Sequence, residues 1–130
     1  MGHYVFAIIT EVQPTDALIR RVMAPFESEG FYDQFPTNEE GEHIIPGGFR
    51  PAVLWDYYEI LSRGLLYQNH AFKLEDCYAI LPNIYLAPVA KDMFIGDTLI
   101  DGEKAFLATC EAVKLNAKPT TWVTFVRYHS

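Results

Sequence analysis

Apolar residues recur along this chain with two different periods, and each period predicts one kind of element. The run at 4–12 is aromatic and β-branched, which is typical of a buried first strand. Capping oxygens at Thr15 and Asp16 then introduce a helix over about 15–24, whose apolar positions have helical spacing: Leu18, Ile19, Val22, Met23 and Phe26. Pro25 marks the end of this helix because proline disrupts a helix interior.

The second half of the chain predicts shorter elements. Extended runs at 77–81 and 84–87 are separated by Pro82 and Asn83, and a strongly β-prone strand covers 121–129. Asp101-Gly102 predicts a type I′ hairpin within 98–105, and 108–115 predicts a short helix. The fold class that follows is α+β: one domain over 1–130, with an antiparallel or mixed sheet, two helices on one face and a ferredoxin-like core.

The segment 55–64 has no clean period of either 2 or 3.6. It combines Trp, two Tyr and Ile with three charged residues in ten positions. A segment that only fills a core would bury one face and keep one period. We therefore predict an irregular strand or turn here, with side chains held in place either for a function or by tight local packing.

The charge balance restricts the class of partner. Ten Lys and Arg against 17 Asp and Glu give a formal net charge of −7. Binding to nucleic acid or to an anionic membrane requires clustered basic residues, so we expect neither direct nucleic-acid binding nor membrane contact. The expected partner is a protein with a basic surface. The oligomeric state stays open, and a dimer is one of the options.

Cysteine usage and the N-terminal residues indicate a cytoplasmic protein. Cys77 and Cys110 have no CxxC spacing, and we expect both to be reduced and at least partly buried. The first ten residues have no basic leader and only a short apolar run, unlike a signal peptide. No cofactor is predicted, and no residue is assigned as a metal ligand.

Six acidic residues and no basic residue lie in 27–42, here called the acidic segment. Together with Pro46, Gly47 and Gly48, it predicts an acidic, turn-rich loop over 27–50. Such a loop is either a solvated flap or a contact surface for a basic partner. The candidate partner-binding residues are its carboxylates and exposed aromatic residues: Glu27, Glu29, Phe31, Tyr32, Asp33, Phe35, Glu39, Glu40 and Glu42.

A second set of candidates depends on topology. If the first and last strands are antiparallel neighbours, His3 meets His129, and Asp56 or Glu59 from the central segment can join them. Two imidazoles and a carboxylate suit a divalent metal or general acid–base chemistry, although two solvated, inert histidines are the simpler interpretation. Arg63 is the candidate cation: it can stack on Tyr58 or Trp55, or pair with Asp56 to fix the loop.

Three short motifs carry a resemblance. The chain opens with Gly-His-Tyr-Val at 2–5, contains Trp-Asp-Tyr-Tyr-Glu-Ile at 55–60 and closes with Trp-Val-Thr-Phe-Val-Arg-Tyr-His at 122–129. This set resembles a group of small uncharacterised bacteriophage and prophage proteins, with a Ser-His-Phe start, a Trp-Asp-Trp-Tyr-x-Ile-Gly-Gly-Arg-Trp centre and a Thr-Val-Val-Asp-x-His end. Leu61 and Ser62 replace the two glycines of that centre, and Arg127 replaces the Asp of that end. The resemblance implies a phage-encoded protein in the host cytoplasm and supplies no activity.

Two functions follow as hypotheses. The first is an accessory protein that binds a host or phage protein through the acidic segment and inhibits a bacterial defence system, in the manner of an anti-CRISPR protein. The charge of the segment then resembles that of a nucleic-acid backbone. The second is a small hydrolase or nucleotide-binding protein that uses His3, His129, Asp56 and Arg63. The first is favoured because the acidic segment is visible in the sequence, whereas no catalytic motif is.

Overall fold

The structure is a computed structural model that describes residues 3–50, 53–82 and 87–130, with the backbone alone at Phe49. Its strands are β1 (His3–Thr10), β2 (Phe49–Arg50), β3 (Tyr57–Leu65), β4 (Ala79–Leu81), β5 (Val89–Ala90), β6 (Asp92–Ile95), β7 (Thr98–Asp101) and β8 (Trp122–His129). Its helices are α1 (Asp16–Met23), α2 (Ser28–Asp33) and α3 (Glu103–Asn116). Single 3₁₀ turns lie at Ala24–Phe26, Pro46–Gly48 and Leu74–Asp76. Most of the extended run predicted at 84–87 lies outside the described residues.

The strands form two sheets. The larger has five strands in the order β3-β8-β1-β4-β5, and the smaller has three in the order β2-β6-β7. In the larger sheet β1 is antiparallel to β8 and parallel to β4, so the sheet is mixed. The predicted α+β class with a mixed sheet is confirmed. A ferredoxin-like core stays a prediction. The position of β1 between β8 and its parallel neighbour β4 is compatible with it.

The two longest helices cover opposite faces of the five-stranded sheet. Phe6 and Ile8 of β1 pack in one core cluster with Ile19 and Met23 of α1. The intervening β1 residues Ala7 and Ile9 belong to a second cluster, which contains Phe106 and Cys110 of α3. The expectation of two helices on one face was therefore wrong in this respect. The cause is the sequence of β1 itself, since a strand that is apolar on both sides needs cover on both sides.

The irregular period of the central segment has a structural cause in β3. Ile60 pairs with Val126 and Ser62 pairs with Phe125, so Leu61 is an additional residue without a partner on β8. Such a bulge moves every following side chain to the opposite face. Tyr58 and Ile60, before the bulge, contact the α1 cluster, whereas Ser62 after it pairs with Phe125 of the α3 cluster, although these three positions would share one face of a regular strand. The prediction of an irregular strand is confirmed.

The hairpin predicted at Asp101-Gly102 lies elsewhere. The tight turn of the β6–β7 hairpin consists of Gly96 and Asp97, because Ile95 pairs with Thr98. Gly96 has a φ of 62°, a conformation that glycine adopts without strain. Asp101 instead accepts a hydrogen bond from the backbone N–H of Glu103 (3.0 Å) and starts α3. The Asp-Gly pair is a helix start here, and α3 begins five residues before the predicted helix.

Candidate functional site

The acidic segment is folded rather than an open loop. Its first part forms α2, and Thr37 and His43 form an isolated antiparallel bridge. Between them, the side-chain oxygen of Asn38 accepts hydrogen bonds from the backbone N–H groups of Glu40 and Glu42, each at 2.9 Å. The prediction of a loop over the whole of 27–50 was therefore wrong, since this range contains helix α2 and the bridge between Thr37 and His43. Its carboxylates sit on a backbone held by local hydrogen bonds.

Trp55 attaches the beginning of this segment to the core. Its indole Nε1 donates to the carbonyl oxygen of Met23 at 2.8 Å. Its backbone N–H donates to Phe26 at 2.9 Å, and its carbonyl accepts from Ser28 at 2.8 Å. The ring also meets Tyr58 edge-on, with centroids 4.8 Å apart. The irregular segment at 55–64 therefore helps to position the acidic segment through Trp55.

The carboxylates of the acidic segment are exposed to solvent, and their ion pairs differ from those of the other acidic residues. All six of these residues, Glu27, Glu29, Asp33, Glu39, Glu40 and Glu42, are exposed. None forms an ion pair with Lys or Arg in the part of the chain that the structure describes, and Asp33 alone approaches a histidine, His43, at 4.0 Å. Elsewhere four carboxylates do pair: Asp16 with Arg63, Glu59 with Arg127, Glu75 with Lys114 and Asp97 with Arg50. The rest of the chain holds the remaining 11 of the 17 acidic residues and all 10 Lys and Arg residues, so the net negative charge lies mainly at 27–42.

The aromatic side chains of the segment pack against one another and are not fully exposed to solvent. Phe31 meets Tyr32 and Phe35 edge-on, with ring centroids 5.4 and 5.3 Å apart. Tyr32 also stacks on the ring of His43 at 6.1 Å. All three aromatic side chains are half-buried, which corrects the expectation that they are exposed. Edge-to-face packing of this kind adds stability beyond the buried area.

A cleft of about 570 Å³ joins the acidic segment to the turn of the β6–β7 hairpin. Glu42 and His43 line one side and Gly96 and Asp97 line the other. Arg50 holds the hairpin side: its Nη2 donates to the carbonyl oxygen of Gly96 at 2.6 Å and lies 3.6 Å from Asp97. Sequence reasoning missed Arg50. Its lone positive charge after a Gly-Gly turn was the available signal.

The predicted meeting of the two terminal strands occurs. His3 and His129 are directly paired across β1 and β8, and their ring centroids lie 5.2 Å apart. Nδ1 of His129 lies 2.8 and 2.9 Å from the two carboxylate oxygens of Asp56. This hydrogen bond holds the pKa of Asp56 below its ordinary value, so the carboxylate is ionised and the imidazole N–H donates to it. Tyr57 stacks on the His129 ring at 5.0 Å with an angle of 7°.

Arg63 does not belong to this group. Its guanidinium donates to the carbonyl oxygen of Pro14 at 3.1 Å and pairs with Asp16 at the start of α1. Seven residues along β3 separate it from Asp56, which corresponds to roughly 20 Å in an extended strand. The expected contacts of Arg63 with Tyr58, Trp55 or Asp56 are therefore wrong. Glu59, the other acidic candidate, pairs with Arg127.

Both cysteine thiols are free and buried. Burial raises the pKa of Cys77 to about 12 and that of Cys110 to about 11. Thiols with such high pKa values are poor nucleophiles at neutral pH. Within residues 3–50, 53–82 and 87–130, no group of three or more His, Cys, Asp or Glu side chains is arranged to hold a metal ion.

Comparison with known proteins adds no assignment. No protein family, no curated protein and no solved structure matches this chain. Among the described helices, none is long and apolar enough to span a membrane.

Proposed function

We propose that this chain is a bacteriophage or prophage accessory protein that binds a basic surface of a host or phage protein through the acidic segment. The observation that carries the proposal is the set of six exposed carboxylates without a Lys or Arg partner among the described residues. They contribute −6 of the net charge of −7, which leaves −1 for the rest of the chain. Such a concentration attracts a basic partner and suppresses binding to acidic ones.

Apolar residues beside the acidic segment support a protein partner. The β6–β7 hairpin, on the other side of the shared cleft, exposes Phe94, Ile95 and Leu99, with relative exposures of 41, 48 and 58%. A charged rim next to exposed apolar side chains is typical of protein–protein interfaces. The partner then has basic residues next to an apolar patch.

Inhibition of a bacterial defence system in the host cytoplasm is the role that we propose for this binding. A protein that binds nucleic acid does so through clustered basic residues, and an array of carboxylates on an ordered backbone offers such a surface a substitute for phosphates. The resemblance to phage and prophage proteins supports this setting. The folded backbone of the segment supports it too, because a backbone that is already ordered loses less conformational entropy on binding.

The first test reverses the charge of the acidic segment. The triple variant Glu39→Lys, Glu40→Lys and Glu42→Lys should lose capture of its partner from a host lysate at low salt. Its melting temperature should stay nearly unchanged, since these side chains are exposed and Asn38 binds only the backbone of Glu40 and Glu42.

A matched control separates local charge from net charge. Glu11, Asp76 and Glu111 are exposed and lie outside the acidic segment. Their joint reversal to Lys changes the net charge by the same amount and should leave capture intact. The same two variants should differ in protecting an infecting phage from a host defence system. Capture that survives the first reversal, or that both reversals abolish equally, counts against the proposal.

A small hydrolase is the second candidate, favoured by the hydrogen bond between Asp56 and His129. The carboxylate orients the imidazole and leaves its Nε2 to act as a base. A nucleotide-binding protein would need a positively charged side chain at this site. Arg63, the residue expected to supply it, is paired with Asp16 instead. Hydrolysis of p-nitrophenyl acetate or phosphate by the wild type, lost in His129→Ala, would favour this candidate over the first.

A further inference from the structure

We propose that His3 and His129 form a two-histidine binding site for a single divalent transition-metal ion of the Zn²⁺ type. The site lies where the first residue of β1 faces the last residue of β8. It does not involve the acidic segment and stands independently of the function proposed above.

The distance between the two rings fits a shared ion. Zinc–nitrogen bonds of about 2.0–2.1 Å in a tetrahedral site place two imidazole centroids about 5 Å apart. The centroids of His3 and His129 are 5.2 Å apart. The spacing of the two rings across β1 and β8 therefore already matches that required by a shared ion.

The surroundings of His129 prepare it to be a ligand. Metal-bound histidines commonly donate their second ring N–H to a carboxylate, which fixes the ring and raises its basicity. Asp56 accepts such a bond from Nδ1 of His129, and Asp56 is itself fixed: its backbone N–H donates to the carbonyl of His129 at 2.8 Å, and its Oδ1 accepts from the backbone N–H of Tyr57 at 2.8 Å. This arrangement leaves Nε2 of His129 for the ion.

Two further contacts limit the motion of the rings. Tyr57 stacks on one face of the His129 ring, and the His3 ring meets Tyr57 edge-on at 5.9 Å. The His3 side chain is exposed, and the contacts recorded for its ring among the described residues are those with Tyr57 and His129. The chain supplies two nitrogen ligands, and water completes the tetrahedron. Neutral imidazole is a good ligand for Zn²⁺, Ni²⁺ and Cu²⁺.

Calorimetric titration with Zn²⁺ tests the site when the wild type is compared with an alanine variant of each of the four histidines of the chain. We expect one ion per wild-type chain. His3→Ala and His129→Ala should each weaken binding at least about tenfold, whereas His43→Ala and His70→Ala should leave the affinity within about twofold. Asp56→Asn retains both ligands and should weaken binding about 10- to 100-fold.

Two controls make the result decisive. Paramagnetic Co²⁺ added to the wild type should broaden the NMR signals of His3, Tyr57 and His129 first, a readout that requires no variant to fold. The triple reversal of Glu39, Glu40 and Glu42 should leave Zn²⁺ affinity unchanged, which separates this site from the acidic segment. No binding at millimolar Zn²⁺, equal losses in all four histidine variants, broadening centred elsewhere, or full affinity in Asp56→Asn would overturn the proposal.

Discussion

Single residues account for much of how the candidate surfaces are held, and Trp55 is the clearest case. Its indole, backbone N–H and carbonyl each bind the stretch between the end of α1 and the start of α2. The sequence singles out the region around Trp55 because its period is irregular, yet the partners expected for its candidate cation, Arg63, were wrong. The partners of a side chain depend on distant elements, and Arg63 meets Asp16, 47 positions away.

The two buried thiols give a prediction at this scale. Burial disfavours the charged thiolate and raises the pKa values of Cys77 and Cys110 to about 12 and 11. At pH 8 the thiolate fraction is then about 0.1% or less, and only the thiolate reacts. The native protein should therefore be almost inert to a disulfide reagent such as DTNB at pH 8, and both thiols should react in guanidinium. Rapid native reaction of either cysteine would contradict the burial described here.

Among the elements, those with a continuous local pattern were predicted best. The strands at the two ends of the chain and helix α1 lie within two residues of their expected bounds, and Thr15 caps α1 by accepting from the N–H of Leu18 at 3.1 Å. The hairpin was misplaced because Asp-Gly suits both a type I′ turn and a helix start. Helix α2 was missed because Gly30 and flanking acidic residues are typical of a loop.

Two glycines allow a matched test of these elements. Gly48 has a φ of +65°, and an added Cβ would lie 2.7 Å from the backbone nitrogen of Gly96. Gly48→Ala should lower the free energy of unfolding by about 1–3 kcal/mol or more. Gly30 lies inside α2 with no atom within 4 Å of an added Cβ. Gly30→Ala should raise the free energy of unfolding by about 0.5 kcal/mol.

Urea denaturation of both variants measures the difference. The two changes in the free energy of unfolding should have opposite signs. Gly48 has a positive φ and a close neighbour that leaves no room for a side chain, whereas Gly30 only weakens helix α2. Equal destabilisation by both substitutions would mean that α2 is not helical in solution. Partner capture by Gly30→Ala should match that of the wild type, since the charges of the acidic segment are unchanged.

The whole molecule combines a covered sheet with a polar, charged periphery. Strand β1 has neighbours on both sides and a helix over each face, whereas β7 is an edge strand whose four residues are all exposed. Local stability follows such differences in burial and pairing. The charge asymmetry has the same origin, since only peripheral segments can carry unpaired carboxylates without a large desolvation cost.

Hydrogen exchange should reveal this gradient. The backbone amides of Phe6, Ala7 and Ile8 should exchange most slowly, at a rate set by global unfolding, while those of β7 exchange through local opening. Exchange followed by NMR as a function of denaturant separates the two classes. Comparable protection of β7 in the isolated chain would indicate that another strand covers that edge.

Local pattern was sufficient for the α+β class, the positions of β1, β8 and α1, and the concentration of negative charge at 27–42, because burial and capping act over a few neighbouring residues. The side of the sheet that each helix covers, the bulge at Leu61, the pairing of Arg63 with Asp16 and the bond between Asp56 and His129 needed the folded chain. Each of these joins segments far apart in sequence, and their relative position depends on strand register. A shift of one residue in β3 would exchange its two faces and separate Asp56 from His129.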